Sequence, residues 1–124
     1  IDLLCAHPAP PTRGLFESHH AALERTLAWA HSHATRPAVA LGDFNSTPYS
    51  SFSRRMRVQM DDAWELAGPF GIGHTWPNSG MLYPPARLDH IYVTDDLDVR
   101  GTELGFAAAS DHQPVVANIV LRAE

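Results

Sequence analysis

A series of short apolar runs, each cut off by Gly, Pro, Asp or His, limits what this chain can fold into. The runs are Ile1–Ala6, Ala38–Leu41, Leu88–Thr94, Leu97–Phe106 and Gln113–Leu121. They have strand length and strand punctuation. The first stops at His7, before Pro8-Ala9-Pro10-Pro11, where proline removes backbone donors and disfavours helix in the residue ahead of it. Helical spacing is sustained over Phe16–Ala34, where Leu23, Leu27, Ala30 and Ala34 recur, Ser18 suits an N-cap and Pro37 ends the segment. Shorter helices are expected near Ser51–Val58 and Asp62–Ala67. The order strand, helix, strand, short helices, three strands predicts an α/β (α+β) domain with a mixed β-sheet and flanking helices.

Chemistry-bearing residues gather at the ends of these runs. Gly42-Asp43-Phe44-Asn45 closes the second. In extended backbone the side chains alternate, so Asp43 and Asn45 are expected on one side and Phe44 on the other. Such a strand delivers a carboxylate and an amide at its C-terminal end, where open α/β sheets place ligands. In Arg87-Leu88-Asp89-His90-Ile91-Tyr92-Val93, Asp89 shares a face with Ile91 and Val93, and a carboxylate beside buried residues needs a compensating partner. Ser110-Asp111-His112 precedes the last run. Three consecutive residues cannot converge as a nucleophilic triad, yet Asp111 and His112 can turn to different partners in one site. The helical His19, His20, His31 and His33 read as surface or packing residues; His31 and His33 lack the i,i+4 spacing of a helical metal pair.

Taken together, Asp43, Asp89, Asp111, Asn45, His7 and His112 all stand at strand edges. Carboxylates with an amide suit a hard cation such as Mg²⁺, whose ligands are oxygens. A histidine held by a carboxylate suits acid–base work or the stabilisation of a charged phosphate oxygen. Metal-assisted phosphoester hydrolysis needs both.

Composition narrows the alternatives. Cys5 is the single cysteine among 124 residues, which rules out an internal disulfide and a thiolate metal cluster. The basic residues number 9, all arginine, against 14 acidic, for a formal charge of −5. Extended nucleic-acid binding over a broad basic face is therefore disfavoured.

On Gly42-Asp43-Phe44-Asn45, Arg87-Leu88-Asp89-His90 and Ser110-Asp111-His112, in that order, with Ala6-His7 and Thr75-Trp76-Pro77 in support, the sequence resembles the endonuclease/exonuclease/phosphatase family. The resemblance implies a four-layer αββα sandwich and a Mg²⁺ (or Mn²⁺) cofactor. It implies that Asp43 orients or deprotonates the attacking water and that Asn45 holds a phosphate oxygen. His112 would contact the scissile phosphate, with Asp89 fixing its tautomer. Asp111, Asp43 and Asn45 would hold the metal, and His7 would donate a proton beside the leaving group. Trp76 and Arg87 are weaker candidates.

Family domains are longer, and their first half supplies an asparagine and a metal-binding glutamate. Glu17, Glu24 and Glu65 lie in the wrong context to replace them. Residues 1–124 are thus expected to form the C-terminal half of such a domain, weak or inactive alone, with the N-terminal half as a missing partner. Half a sandwich leaves an apolar sheet face uncovered, so a homodimer through that face is also expected. The substrate is a phosphate ester of unassigned class. The segments His7-Pro8-Ala9-Pro10-Pro11 and Thr75-Trp76-Pro77 resemble those of members anchored to bacterial membranes, so an extracytoplasmic location with an anchor in an upstream segment is the expectation from that analogy, the location being otherwise unassigned. The alternative is a non-catalytic binding module that keeps the fold.

Overall fold

The computed structural model describes residues 1–78, 83–107 and 109–123. The elements run β1 (Asp2–Cys5), α1 (Phe16–His33), β2 (Ala38–Asp43), α2 (Ser51–Met56), β3 (Asp61–Asp62), α3 (Ala63–Ala67), β4 (Asp89–Val93), β5 (Leu97–Leu104) and β6 (Val115–Leu121). Strands β1, β2, β4 and β3 form one sheet in that order, and β5–β6 form a separate two-stranded ribbon. The sheet is mixed, as expected: β1 runs parallel to β2, while β4 is antiparallel to both β2 and β3. Among the described residues no helix is long and apolar enough to cross a membrane.

Helices α1 and α2 cover one face. Leu23, Leu27 and Ala30 on α1 pack with Ala38 and Ala40 of β2, Phe44, Phe52, Met56, Met60 and Tyr92. Small alanines on β2 let α1 approach closely, and the aromatic rings fill the space towards α2. Phe44 lies 5.3 Å from Phe52 and 5.8 Å from Tyr92, centroid to centroid, the separations that aromatic pairs favour. Asp62 closes β3 and caps α3, its carboxylate accepting the Trp64 N–H at 2.9 Å.

The other face is covered in part. Val39, Val93 and Leu97 form a small core there, with Leu41, Ile91, Val99 and Ile119 packed against it. Beyond the ribbon's reach, Leu3 remains 67% exposed. Cys5 is exposed beside it.

Two details differ from expectation. Ser18 does not cap α1, which starts at Phe16 after Leu15. The preceding turn, with Leu15 N–H donating to the Thr12 carbonyl and Gly14 at φ 86°, delivers the chain into the helix ahead of Ser18, with Leu15 at the cap position. The last two runs also pair only with each other, so they extend the fold as a ribbon and add nothing to the main sheet.

Gly42 is required at the end of β2. Its φ is 143°, and a Cβ there would collide with the Ala6 carbonyl oxygen. Gly42→Ala is expected to destabilise the chain by about 3 kcal/mol through strain and displacement of the β1 end. Urea unfolding measures this, and an unchanged midpoint would contradict the β1–β2 packing.

Candidate active site

The register of the sheet builds the site. Leu41 stands opposite Ile91 and, two residues on, Asp43 stands opposite Asp89. Alternation then puts both carboxylates on the partly covered face, at the end of its apolar rows. Phe44 turns the other way and is fully buried under the helices.

His112 reaches this pair from the loop before β6. Its Nδ1–H donates to Asp89 Oδ2 at 2.7 Å, and its Nε2 lies 3.8 Å from Asp43 Oδ2. Asp89 therefore fixes the tautomer and turns Nε2 towards Asp43. His7 closes the other side with Nε2 3.5 Å from Asp43 Oδ2, and its ring is 75% exposed.

Asn45 is placed differently from a simple alternation. It has φ 47°, a left-handed conformation that Asn tolerates better than most residues. Its backbone N–H folds back to Asp43 Oδ1 at 2.8 Å, and its Nδ2 donates to the Pro8 carbonyl at 3.0 Å. The chain thus leaves strand geometry directly after Phe44, and Asn45 ties the proline loop to Asp43.

Asp111 also departs from its expected place. Its carboxylate is exposed and accepts the Trp76 Nε1–H at 3.3 Å. The three groups whose ligand atoms lie within 4.8 Å of one another are Asp43, Asp89 and His112.

Thr75 was given no role of its own in the sequence, yet it joins two parts of the site. Fully buried, its hydroxyl accepts the N–H groups of Leu88 at 3.0 Å and Asp89 at 3.3 Å. Its carbonyl accepts the Gln113 N–H at 2.8 Å. One residue so anchors the strand entry that carries Asp89 and the loop that carries His112. Asn78 braces the same loop by donating Nδ2 to the Ala107 carbonyl at 2.7 Å and the Ser110 carbonyl at 3.0 Å. The segment holding Thr75 has no regular periodicity, so nothing in the sequence marks these contacts.

Burial pushes the Asp43 carboxyl above its ordinary pKa, and the facing Asp89 carboxylate adds to the rise. The Asn45 N–H, His112 and His7 pull in the other direction. Two adjacent carboxylates, one destabilised in its charged form, make a donor set that fits a cation.

These features match a known protein class. The model of the endonuclease/exonuclease/phosphatase family matches residues 3–112. The chain belongs to that family of phosphoester hydrolases. A functionally unknown conserved protein from Enterococcus faecalis V583 shares the fold with a TM-score of 0.75 at 21% identity, over 97% of this chain and 50% of its own. An endonuclease/exonuclease/phosphatase from Bacteroides vulgatus follows at TM-score 0.70 and 25% identity, over 86% of this chain and 45% of its own. The mannosyl-6-phosphatase of Bacteroides thetaiotaomicron VPI-5482 gives 0.64 and 21%, over 96% of this chain and 51% of its own. The chain spans about half the length of these structures. No curated protein matches it in sequence.

The raised Asp43 pKa has a checkable consequence. An acid with a folded pKa above its unfolded one stabilises the fold below the unfolded value, near 4, and that contribution is lost as pH rises through the folded value. Asp43→Asn keeps an acceptor for the Asn45 N–H and removes a like-charge pair. It is expected to raise stability at pH 7 by roughly 0.2–1 kcal/mol, the usual size for like charges directly opposite on a sheet. The gain should vanish as the pH falls below about 4. Thermal melts of both forms across that range provide the measurement, and a variant less stable at pH 7 would contradict the assignment.

Proposed function

We propose that the chain carries the water-activating and phosphate-gripping half of a metal-dependent phosphoester hydrolase. The observation that supports it best is the line Asp89–His112–Asp43, in which one carboxylate orients a histidine whose other nitrogen faces a second carboxylate. On this reading a water beside Asp43 gives that carboxylate a proton as the water oxygen bonds to phosphorus. An elevated pKa suits this general-base role. The Asn45 amide N–H groups, and His112 Nε2 when it too carries a proton, donate to the phosphoryl oxygens that gather charge. The P–O bond to the leaving alkoxide breaks, and an N–H of His7 supplies the proton that the alkoxide takes up.

A hard divalent cation, Mg²⁺ or Mn²⁺, would be held at the Asp43–Asp89 carboxylate pair and would add positive charge beside the phosphoryl oxygens, whereas the exposed Asp111, bonded to Trp76, stands outside that cluster. The rest of the metal site, and a cover for the face bearing Leu3 and Cys5, would come from a preceding half of the same domain. The formal charge of −5 places small phosphate esters ahead of long nucleic acids as substrates.

The test is a hydrolysis panel with Mg²⁺ on this chain and on a longer chain carrying its preceding segment. Mannose 6-phosphate, an inositol phosphate, sphingomyelin, a polyprenyl pyrophosphate and plasmid DNA cover the classes. The longer chain is expected to cleave at least one, and the 124-residue chain to be slow or silent. Asp43→Ala and His112→Ala should each lower kcat by about 10²–10⁴-fold. Silence of the longer chain on every substrate would favour a non-catalytic module that keeps the fold.

A further inference from the structure

A second charged cluster lies on the opposite face of β4 from Asp89, away from the reacting groups. Asp62, Arg87 and His90 are there almost completely buried. Arg87 Nη1 donates to both Asp62 oxygens, at 2.7 and 2.6 Å. His90 Nδ1 donates to Asp62 Oδ2 at 2.9 Å, while the Trp64 N–H already occupies Oδ1. The other ring nitrogen, Nε2, is 2.9 Å from the Ser46 carbonyl oxygen. A carbonyl only accepts, so Nε2 donates there.

Packing alone does not call for such a cluster. Buried ion pairs are weak contributors to stability, because desolvation consumes most of the attraction, and apolar residues of equal volume do as well or better. What the cluster does provide is position. Ser46 directly follows Asn45, whose left-handed φ of 47° is a conformation that persists only where the surroundings over-determine it. Two of the restraints lie on the site side: the Asn45 N–H on Asp43 and its Nδ2 on the Pro8 carbonyl. The third comes from beneath, through His90.

We infer that Asp62 and His90, braced by Arg87, are positioning residues: they grip the Ser46 carbonyl from under the sheet and so hold Asn45, and the N–H that steadies Asp43, in register for a phosphate. The catalytic consequence rests on the function proposed above; the structural one does not. His90→Phe keeps a ring against Tyr92, 5.4 Å away and nearly parallel, and against Phe44, but removes both hydrogen bonds.

Amide NMR of the isotope-labelled chain reads the effect without any turnover. In His90→Phe the Asn45 backbone and side-chain amide signals are expected to shift or broaden, while those of Leu23 and Ala30 on α1 stay in place. Unmoved Asn45 signals in a folded His90→Phe chain would overturn the inference whatever the activity. If the variant does not fold, the wild type decides. A His90 Nε2–H proton slow to exchange supports the grip on Ser46, and one that exchanges freely refutes it. In the longer chain, on any substrate it cleaves, His90→Phe is expected to lower kcat by about 10–100-fold with KM little changed, the usual size for groups that orient a ligand from behind. Unchanged kcat would refute the catalytic part, whereas absence of hydrolysis by wild type with shifted Asn45 signals would count against the proposed function and leave the positioning role supported.

Discussion

The register between β2 and β4 is the constraint on which the site depends. Side chains alternate with a period of two, so a slip of one residue would turn Asp89 under the helices and bring His90 to the site face. The apolar rows prevent it: Val39 opposite Val93 and Leu41 opposite Ile91 share the ribbon side, while Ala40 opposite Tyr92 meets α1 and α2. Burial of these rows has no use for catalysis, yet it alone puts Asp43 across from Asp89. Like charges directly opposite on a sheet repel. Here the repulsion is tolerated because His112 bonds one carboxylate and, with His7, flanks the other.

The same strand serves two charge clusters of opposite design. On the site face Asp43 is held with its ionised form disfavoured, first by burial and then by Asp89. On the helix face burial also raises the Asp62 pKa, but His90 and Arg87 outweigh it and the result is a lowered value. Asp62 therefore stabilises the fold at neutral pH and gives up that contribution only in acid, as the pH falls through its lowered pKa. The charged form is favoured at Asp62 and disfavoured at Asp43. That separation of environments is how a fold assigns scaffold and reaction roles to the same residue type.

What the sequence revealed follows from how local each signal is. The strand ends and the opposite facing of Asp43 and Phe44 could be anticipated, because run length and alternation are visible in a few neighbouring residues; the meeting of Asp89 with His112, 23 residues apart, was expected only from the family resemblance. Asn45 could not be placed by alternation, since the contacts that hold its left-handed turn include the Pro8 carbonyl, 37 residues away. Thr75 and Asp62 were hidden for the same reason. Their partners lie 14 and 28 residues off, at Asp89 and His90, beyond the reach of any local pattern. The Ser18 cap failed through a competing local device, the turn at Gly14, which has no hydrophobic signature.

The site and the partly covered face also share one energetic problem. Leu3 and Cys5 lie in the rows that end at Asp43, and His7 is largely exposed at the same end. A pair of unit charges 4 Å apart interacts by about 1 kcal/mol in water and about 4 kcal/mol at an effective dielectric near 20. Groups open to solvent thus act on a developing phosphoryl charge with a fraction of the strength they would have under cover. A second layer on this face would bury Leu3 and at the same time lower the dielectric around Asp43, His112 and His7. Apolar burial there is worth about 25 cal/mol per Å², so closing the face would stabilise the fold by the same act that strengthens the chemistry. On the proposed function, a cover over this surface would therefore couple stability to activity through the same rows that fix the register.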